Sequence, residues 1–195
     1  VEFIDRPKEG QAVVTQTYLT KEEVQLMREK LEEYGDVQLQ AYAFLSLTRM
    51  GRVNAIANLK WSQIKGDERF FGDVLEKEGK IVELSFSLET KEYLQKLIKY
   101  REEKGIDCEY LLCTEENGKW VQAKITTMDS YAETCSRFLG KPFYFHCLRH
   151  QLCSRLCKYS LPPKIIQEYF GWSSQDLISI YDDNEAVDDF GKYFS

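Results

Sequence analysis

The chain has 195 residues, of which 43% are hydrophobic and 13% aromatic, so it can bury a sizeable core and is not a disordered chain. No apolar run approaches the ~20 residues of a membrane span, so the sequence predicts no membrane-spanning helix. The formal net charge of -6, taken alone, argues against nucleic acid as a partner.

The charges are unevenly distributed, and the distribution is more informative than the sum. Acidic residues cluster at 22–36, 67–92, 102–116 and 182–189, whereas basic residues predominate between 119 and 181. The six cysteines show no disulfide-framework spacing, which favours free thiols in a reducing cytoplasm. Because Val1 is not a start methionine and no signal peptide opens the chain, we expect a piece of a longer protein.

The first predicted elements follow an extended lead-in over residues 1–18. Thr20 and Glu23 form the pattern of a capping box, which predicts a helix that ends at Gly35. A second helix is expected from about Val37 to Thr48. Its residues are nearly all apolar, so it should be the central buried helix.

A turn at Gly51 and a short helix to Asn58 are expected next. Arg52 lies at the start of this helix, where the helix dipole does not favour a cation. An arginine in that place suggests that it faces an anion. An ordinary surface arginine is the alternative.

Residues 61–86 have the pattern of strands, and Gly79 in a polar turn marks a hairpin. Lys77 and Lys80 lie at its tip, where lysines are usually only solvated. A helix from Ser87 to about Lys104 follows, and residues 105–123 are interpreted as a connecting region.

The remaining elements are helical. We predict helices at Ile125–Leu139, with Gly140 as the C-cap, at 146–159, from the Pro162–Pro163 pair to Phe170, and a short one leading to Tyr181. The predicted fold is therefore mainly α with one small antiparallel β-sheet, an α+β class.

The segment from Phe145 to Tyr181 carries the candidate chemistry. His146 and Arg149 are three residues apart and share one face of a helix, where a proton-handling group beside a fixed cation forms half of a phosphate site. Tyr181 could supply a nucleophile.

A zinc site is an alternative reading of this segment, because its helix has His and Cys at three- and four-residue steps. The four residues would span roughly 16 Å of helix, too far for one ion to gather at bonds of about 2.0–2.3 Å. Buried cysteines fit better than a metal site. The residues concerned are His146, His150, Cys153 and Cys157.

Three blocks of this sequence resemble the catalytic domain of the tyrosine recombinases, the phage and transposon integrases. Residues 146–150, His-Cys-Leu-Arg-His, are similar to the family's His-x-Leu-Arg-His box. Gly171-Trp172, followed nine residues later by Tyr181, is similar to its Gly-(His/Trp) and nucleophile pair. Arg52 stands seven residues before Leu59, where the family's first arginine precedes its Leu-x-Trp stretch.

The resemblance implies a role for each matching residue. Tyr181 would attack a DNA phosphodiester and form a 3′-phosphotyrosyl link, while Arg52 and Arg149 clamp the non-bridging oxygens. Trp172 would donate its indole N–H to the phosphate, and His146 would help to take the tyrosine proton. A hairpin lysine, Lys77 or alternatively Lys80, would protonate the leaving 5′-oxygen. No metal, ATP or other cofactor is implied.

The sequence also departs from the family pattern. Ala55 stands where the family usually has an acid that supports the second histidine of the box, so the role of His150 is open. Glu83 replaces a usual proline on the return strand. Ala55 and the acidic net charge keep open a non-catalytic DNA-binding relative of the same fold. A type IB topoisomerase-like enzyme is a further alternative, because it shares this chemistry.

The resemblance further implies double-stranded DNA as the partner, self-association as a tetramer on DNA, and a cytoplasmic, nucleoid-associated protein of bacterial or phage origin. We expect a catalytic domain over residues 19–181. Residues 182–195 would be a C-terminal tail that could dock on a neighbouring subunit.

Overall fold

Five helices and two small antiparallel sheets make up the part of the chain that the computed structural model describes. The described residues are 19–46, 53–65, 67, 69–75, 79–145, 148, 162 and 164–165. The predicted lead-in (1–18) and tail (182–195) lie outside them. The helices are α1 (Lys21–Tyr34), α2 (Val37–Leu45), α3 (Val53–Ala57), α4 (Leu88–Lys104) and α5 (Ile125–Leu139). The strands are β1 (Ile64–Lys65), β2 (Phe70–Leu75), β3 (Ile81–Ser85), β4 (Cys113–Glu116) and β5 (Lys119–Gln122).

Helix α1 begins and ends at the predicted residues. The Glu23 N–H donates to Thr20 Oγ1 at 3.1 Å, and the Thr20 N–H donates to Glu23 Oε1 at 3.3 Å, which completes the capping box. Gly35 ends the helix in the left-handed region, at φ +73°. Met27 and Leu31 are buried on one face of the helix, as their spacing predicts.

Helix α2 is the central buried helix, and every residue from Leu39 to Leu45 is buried. Asp36 caps it by accepting from the N–H groups of Gln38 and Leu39, each at 3.0 Å. The helix packs against α4, where the rings of Phe44 and Tyr93 stack with centroids 3.9 Å apart. The helix ends at Leu45 with Ser46 as its C-cap, three residues before the predicted end at Thr48.

The predicted hairpin is present as the pair β2–β3, and β1 adds a third antiparallel strand in the order β1-β2-β3. Leu75 pairs with Ile81 next to the turn, and Gly79 has φ +74°. The inner face of the hairpin, including Phe71 and Leu84, joins the core. The strand prediction for this segment is therefore confirmed.

A second hairpin, β4–β5, occupies part of the segment that we predicted to be a connecting region, and that prediction is wrong. Its turn is Asn117-Gly118, with φ values of +52° and +76°, the backbone of a type I′ turn. The strands contain few apolar residues, so the alternation that reveals a strand is weak. The predicted class, mainly α with a small antiparallel sheet, is confirmed, and the structure adds a second small sheet.

The side chain of Gln38 joins the second hairpin to α2. Its Oε1 accepts from the Cys113 N–H at 2.7 Å, and its Nε2 donates to the Cys113 carbonyl at 2.8 Å. The amide thus pairs with the start of β4 as a neighbouring strand would. Burial raises the pKa of the Cys113 thiol to about 12, so this cysteine behaves as a core residue.

Arg101, near the end of α4, organises the loop before β4. Its guanidinium donates to the carbonyls of Tyr110 at 3.1 Å and Ile106 at 3.4 Å, and also to the carbonyl of Cys108. The same group lies over the Trp61 ring, 4.8 Å from its centroid. The loop therefore wraps around a cation that the helix supplies.

Candidate active site

Most of the predicted catalytic residues lie outside the described residues, and their roles stay predictions. This group consists of Arg52, Lys77, His146, Arg149, His150, Trp172 and Tyr181. Lys80, the alternative hairpin lysine, is described. The structure does describe the residues that adjoin several of these positions in the chain, and so shows how the framework around them is held.

Helix α3 begins at the residue after Arg52 and is anchored in the core. Ile56 is fully buried, and Ala57 and Leu59 are nearly so. At the far end of the helix, Gln122 Nε2 donates to the Ala57 carbonyl at 2.8 Å and to Asn58 Oδ1 at 2.9 Å. The second hairpin thus satisfies a carbonyl that a helix end leaves open.

The chain after α3 is joined to the loop before β4. The Leu59 carbonyl accepts from the Leu111 N–H at 3.0 Å, and the Trp61 N–H donates to the Glu109 carbonyl at 3.0 Å. Lys60 Nζ lies 2.9 Å from Glu109 Oε2, and the hydrogen bond to this carboxylate raises the pKa of Lys60. These bonds fix the direction in which the chain leaves α3.

Ala55 occupies the place where the resemblance leads us to expect an acid. Its methyl group is half-buried and packs against the hydrophobic core. The position therefore supplies packing and no carboxylate. Any support for His150 from this helix would have to come from a different residue.

The chain reaches His146 through two buried aromatic residues. The Phe145 ring lies 4.6 Å from Tyr42 and 5.0 Å from Phe143, centroid to centroid. The Phe143 N–H donates to Ser136 Oγ of α5 at 3.0 Å. The Leu148 N–H donates to the Phe145 carbonyl at 3.0 Å, and Leu148 packs on the core. The two aromatic residues that precede His146 are thus held in place by contacts with α2 and α5.

The hairpin tip presents Lys80 to solvent. Lys80 is exposed and has no acidic partner among the described residues. Leu75 and Ile81, which pair across the two strands beside it, are 67% and 66% exposed. Glu83, at the position of the family's usual proline, is exposed on β3.

Several tyrosines of the described part of the chain are poor nucleophiles. Burial raises the pKa of Tyr42 to about 12, and it also raises the pKa values of Tyr93 and Tyr131. A tyrosine with a raised pKa ionises less readily near neutral pH. These three residues are therefore core groups, which is consistent with a nucleophile elsewhere in the chain.

Gln63 is a residue that the sequence did not single out. Its side chain links the 3₁₀ turn at Trp61–Gln63 to β2 by donating to the Asp73 carbonyl at 2.9 Å. The link depends on an irregularity in β2 that no sequence pattern indicated. A glutamine two residues after a tryptophan carries no signal that could have revealed this link.

Neither a metal site nor a membrane-spanning helix occurs in the described part of the chain. Among the described residues, no three His, Cys, Asp or Glu side chains are grouped so that they could bind a metal ion. The residues of the zinc alternative, His146 to Cys157, lie outside them. The helices that the structure describes include none with the length and apolar character needed to span a bilayer.

Comparison with protein families gives one match over most of the chain. The model of the phage integrase family matches residues 17–187. This range contains all of the predicted catalytic residues. A search of curated proteins finds no match.

Solved structures share the fold at low sequence identity. XerA recombinase superposes with a TM-score of 0.72 at 21% identity, over 91% of this chain and 65% of its own. XerH bound to a palindromic difH substrate superposes with a TM-score of 0.64 at 19% sequence identity, over 87% of this chain and 50% of its own. The Tn1549 transposon integrase with circular intermediate DNA superposes with a TM-score of 0.61 at 19% sequence identity, over 85% of this chain and 60% of its own. The chain thus spans less than two thirds of each of these proteins.

Proposed function

Because the chain belongs to the phage integrase family of tyrosine recombinases, we propose that it cuts and rejoins DNA strands through a covalent 3′-phosphotyrosyl intermediate. The observation that carries the proposal is the family match over residues 17–187, which contains the ordered series Arg52, His146, Arg149, Trp172 and Tyr181. The shared fold supports it. The proposed catalytic unit is residues 19–181.

In the proposed cleavage step, the Tyr181 oxygen attacks phosphorus and the bond from phosphorus to the 5′-oxygen breaks. His146 accepts the tyrosine proton, and a hairpin lysine gives a proton to the leaving oxygen. Lys77 is the first choice for that lysine and Lys80 the alternative. Rejoining is the reverse, with a 5′-hydroxyl attacking the phosphotyrosine. The bond energy is retained in the intermediate, so the chemistry needs no ATP.

The charge of the transition state is spread over the equatorial oxygens of the phosphorus. Arg52 and Arg149 would bind these oxygens with guanidinium forks that stay protonated at all relevant pH values. Trp172 would add a neutral N–H donor. An indole cannot exchange protons, so in this scheme the general base is His146, and His150 has an open, supporting role.

The proposed partner is double-stranded DNA. Related structures are described as XerH bound to difH substrate and as Tn1549 integrase bound to circular intermediate DNA. We further propose self-association on DNA, up to a tetramer, with residues 182–195 as the docking tail. A lambda integrase described as a dimer on a core site supports association of this kind. A cytoplasmic, nucleoid-associated location follows from a DNA substrate.

A non-catalytic DNA-binding relative is the second candidate. The observation that favours it is Ala55, because a half-buried methyl group stands where the family usually has an acid. Such a protein would bind DNA and form no covalent product. A type IB topoisomerase-like enzyme would form the same adduct and relax supercoils, which native agarose electrophoresis of the same plasmid measures.

The proposal is tested by mixing the protein with supercoiled plasmid DNA and separating the products on a denaturing gel. We expect a protein–DNA adduct with the native chain and none with Tyr181→Phe, because the substitution removes only the attacking oxygen. Tyr144→Phe is the matched control, since Tyr144 is 60% exposed and has no predicted role. This variant should form as much adduct as the native chain.

Three outcomes would contradict the proposal. An adduct that persists in Tyr181→Phe would assign the nucleophile to another residue. DNA binding without any adduct would favour the non-catalytic candidate. Relaxed plasmid without recombined products would point to the topoisomerase-like alternative.

A further inference from the structure

The strand β2 contains one more residue than its partner needs. Phe71 pairs with Leu84, but Val74 pairs with Val82, so two residues of β2, Gly72 and Asp73, stand opposite Glu83. Asp73 has φ +54°, a left-handed backbone that is uncommon outside glycine. The irregularity is a β-bulge, which bends a strand and re-aims the side chains beyond it.

The bulge decides which side chains face the core. In a regular strand, residues three apart point to opposite faces. Here Phe71 and Val74 are both buried, and Leu75 points out with 67% of its surface exposed. Every residue of β2 after Asp73 is therefore on the opposite face from the one a regular strand would give it. Lys77 and Lys80 follow β2 directly in the chain.

The side chain of Gln63 holds the bulge from outside the hairpin. Its Nε2 donates to the Asp73 carbonyl at 2.9 Å, and its Oε1 accepts from the Lys60 N–H at 2.8 Å. The extra residue of a bulge is left without a ladder partner. Gln63 supplies that partner and uses both ends of its amide to do so.

This link connects the two segments that carry opposite parts of the proposed chemistry. Lys60 follows α3, whose first residue comes directly after Arg52. Asp73 lies in the strand that leads to Lys77. The Gln63 side chain joins these two segments, because it forms one hydrogen bond to the backbone of each.

We propose that Gln63 is a positioning residue that sets the hairpin lysine relative to the arginine-bearing segment, and thereby controls protonation of the leaving 5′-oxygen. The inference rests on the proposed function. Gln63 does not touch the reacting atoms. It acts through the bulge, which aims the loop that follows.

The test uses Gln63→Glu, which keeps the acceptor for the Lys60 N–H and replaces the donor to Asp73 by a carboxylate oxygen. Plasmid cleavage by the native chain first maps the scissile phosphate. Duplexes with that phosphate are then made in an ordinary form and in a form with sulfur in place of the 5′-bridging oxygen. A thiolate leaves without a proton, so the second duplex does not need the lysine.

We expect Gln63→Glu to form the adduct about 100-fold more slowly on the ordinary duplex, the scale of effect that a misplaced catalytic group produces. On the sulfur duplex its rate should return to the native rate. Gln95→Glu is the control, with the same charge change at an exposed position of α4. Equal losses on both duplexes, or no loss on either, would overturn the proposal.

A second measurement is independent of DNA. Without the Gln63 bond, the backbone amides of β2 and β3 should exchange with solvent about fivefold faster, while those of α4 keep their native rates. Unchanged exchange in the hairpin would overturn the positioning role even if the native chain forms no adduct. A native chain without adduct, but with the expected exchange, would reject the proposed function and the control of protonation with it, while the link from Gln63 to the bulge would stand. Gln63→Met, which removes both bonds, replaces Gln63→Glu if that variant does not fold.

Discussion

The hydroxyl of Thr114 is a residue-scale exception to the hydrogen bonding of the core. Its Oγ1 is buried and has no hydrogen-bond partner among the described residues. A buried polar atom without a partner loses its bonds to water and gains nothing in return. Thr114 lies in β4 opposite Val121, where a β-branched apolar side chain also fits.

We therefore predict that Thr114→Val leaves the free energy of unfolding unchanged or raises it by about 1 kcal/mol. Urea unfolding of the two proteins measures the difference. The matched control is Thr134→Val, because Thr134 Oγ1 donates to the Ser130 carbonyl at 2.9 Å and accepts from Arg137 at 3.1 Å. That change should cost about 1 kcal/mol. A loss of stability in Thr114→Val as large as in the control would contradict the prediction.

Single residues show where sequence patterns are sufficient. Thr20 and Glu23 identify a helix start because the capping box is local and chemically specific. Gln38 and Gln63 could not be identified in this way. Each bonds to backbone far along the chain, at Cys113 and Asp73, and such bonds exist only after the fold has brought the segments together.

At the scale of the element, the β4–β5 hairpin depends on its two-residue turn. Asn117 and Gly118 both have positive φ, and the register Glu116–Lys119 leaves no other residue between the strands. Nothing lies within 4 Å of the position that a Cβ would take on Gly118, so a methyl group there meets no steric obstacle. An alanine at this position would therefore be unfavourable only because of its left-handed backbone conformation.

We predict that Gly118→Ala lowers the free energy of unfolding by about 1 kcal/mol, because alanine resists the left-handed backbone. Asn117→Gly, at the other turn position, should change it by less than about 0.5 kcal/mol, since glycine accepts the same backbone freely. Thermal unfolding of both variants measures the contrast. Equal effects would mean that the turn relaxes to another type.

The elements also show the limits of periodicity. Helices α1, α4 and α5 match their predicted boundaries because caps and glycines punctuate them. The second hairpin was missed, although Asn-Gly is a strong hairpin signal, because its short strands are mostly polar. The bulge in β2 had no sequence signal. In a strand this short, one extra residue changes the alternation of apolar and polar residues too little to be recognised.

At the scale of the whole molecule, surface charge contributes little to stability. The ion pairs of the described residues lie mostly at the surface, as in Lys96–Glu32, where both side chains are 49% exposed. Exposed pairs of this kind contribute about 0–1 kcal/mol and are screened by salt. The hydrophobic core, to which all five helices and the first sheet contribute buried side chains, carries the fold.

Salt should therefore separate stability from DNA binding. Between roughly 50 and 200 mM NaCl we predict a change of less than about 1 kcal/mol in the free energy of unfolding. Affinity for duplex DNA should fall about 1,000-fold in that range if about six phosphates are contacted. Urea unfolding and fluorescence anisotropy measure the two quantities. Binding that ignores salt would contradict a phosphate-based interface.

The proposed site illustrates what sequence and structure each contribute. Three short motifs in the right order point to the family, and the family match agrees with them. Their mutual geometry is a different matter. It depends on how α3, the first hairpin and the segment after Phe145 are held, and those contacts come from glutamines and aromatic rings outside the motifs.

Arg101 carries a consequence for the order in which the chain folds. Its guanidinium is surrounded by carbonyl oxygens of one loop and by the face of Trp61, much as an alkali cation is held by a ring of ether oxygens. Helix α4 can form from contacts within its own sequence, and such local contacts form early. The carbonyl groups of the loop have no guanidinium to bind until the helix has positioned Arg101. We therefore expect residues 106–113 to acquire their structure after α4, around the Arg101 guanidinium.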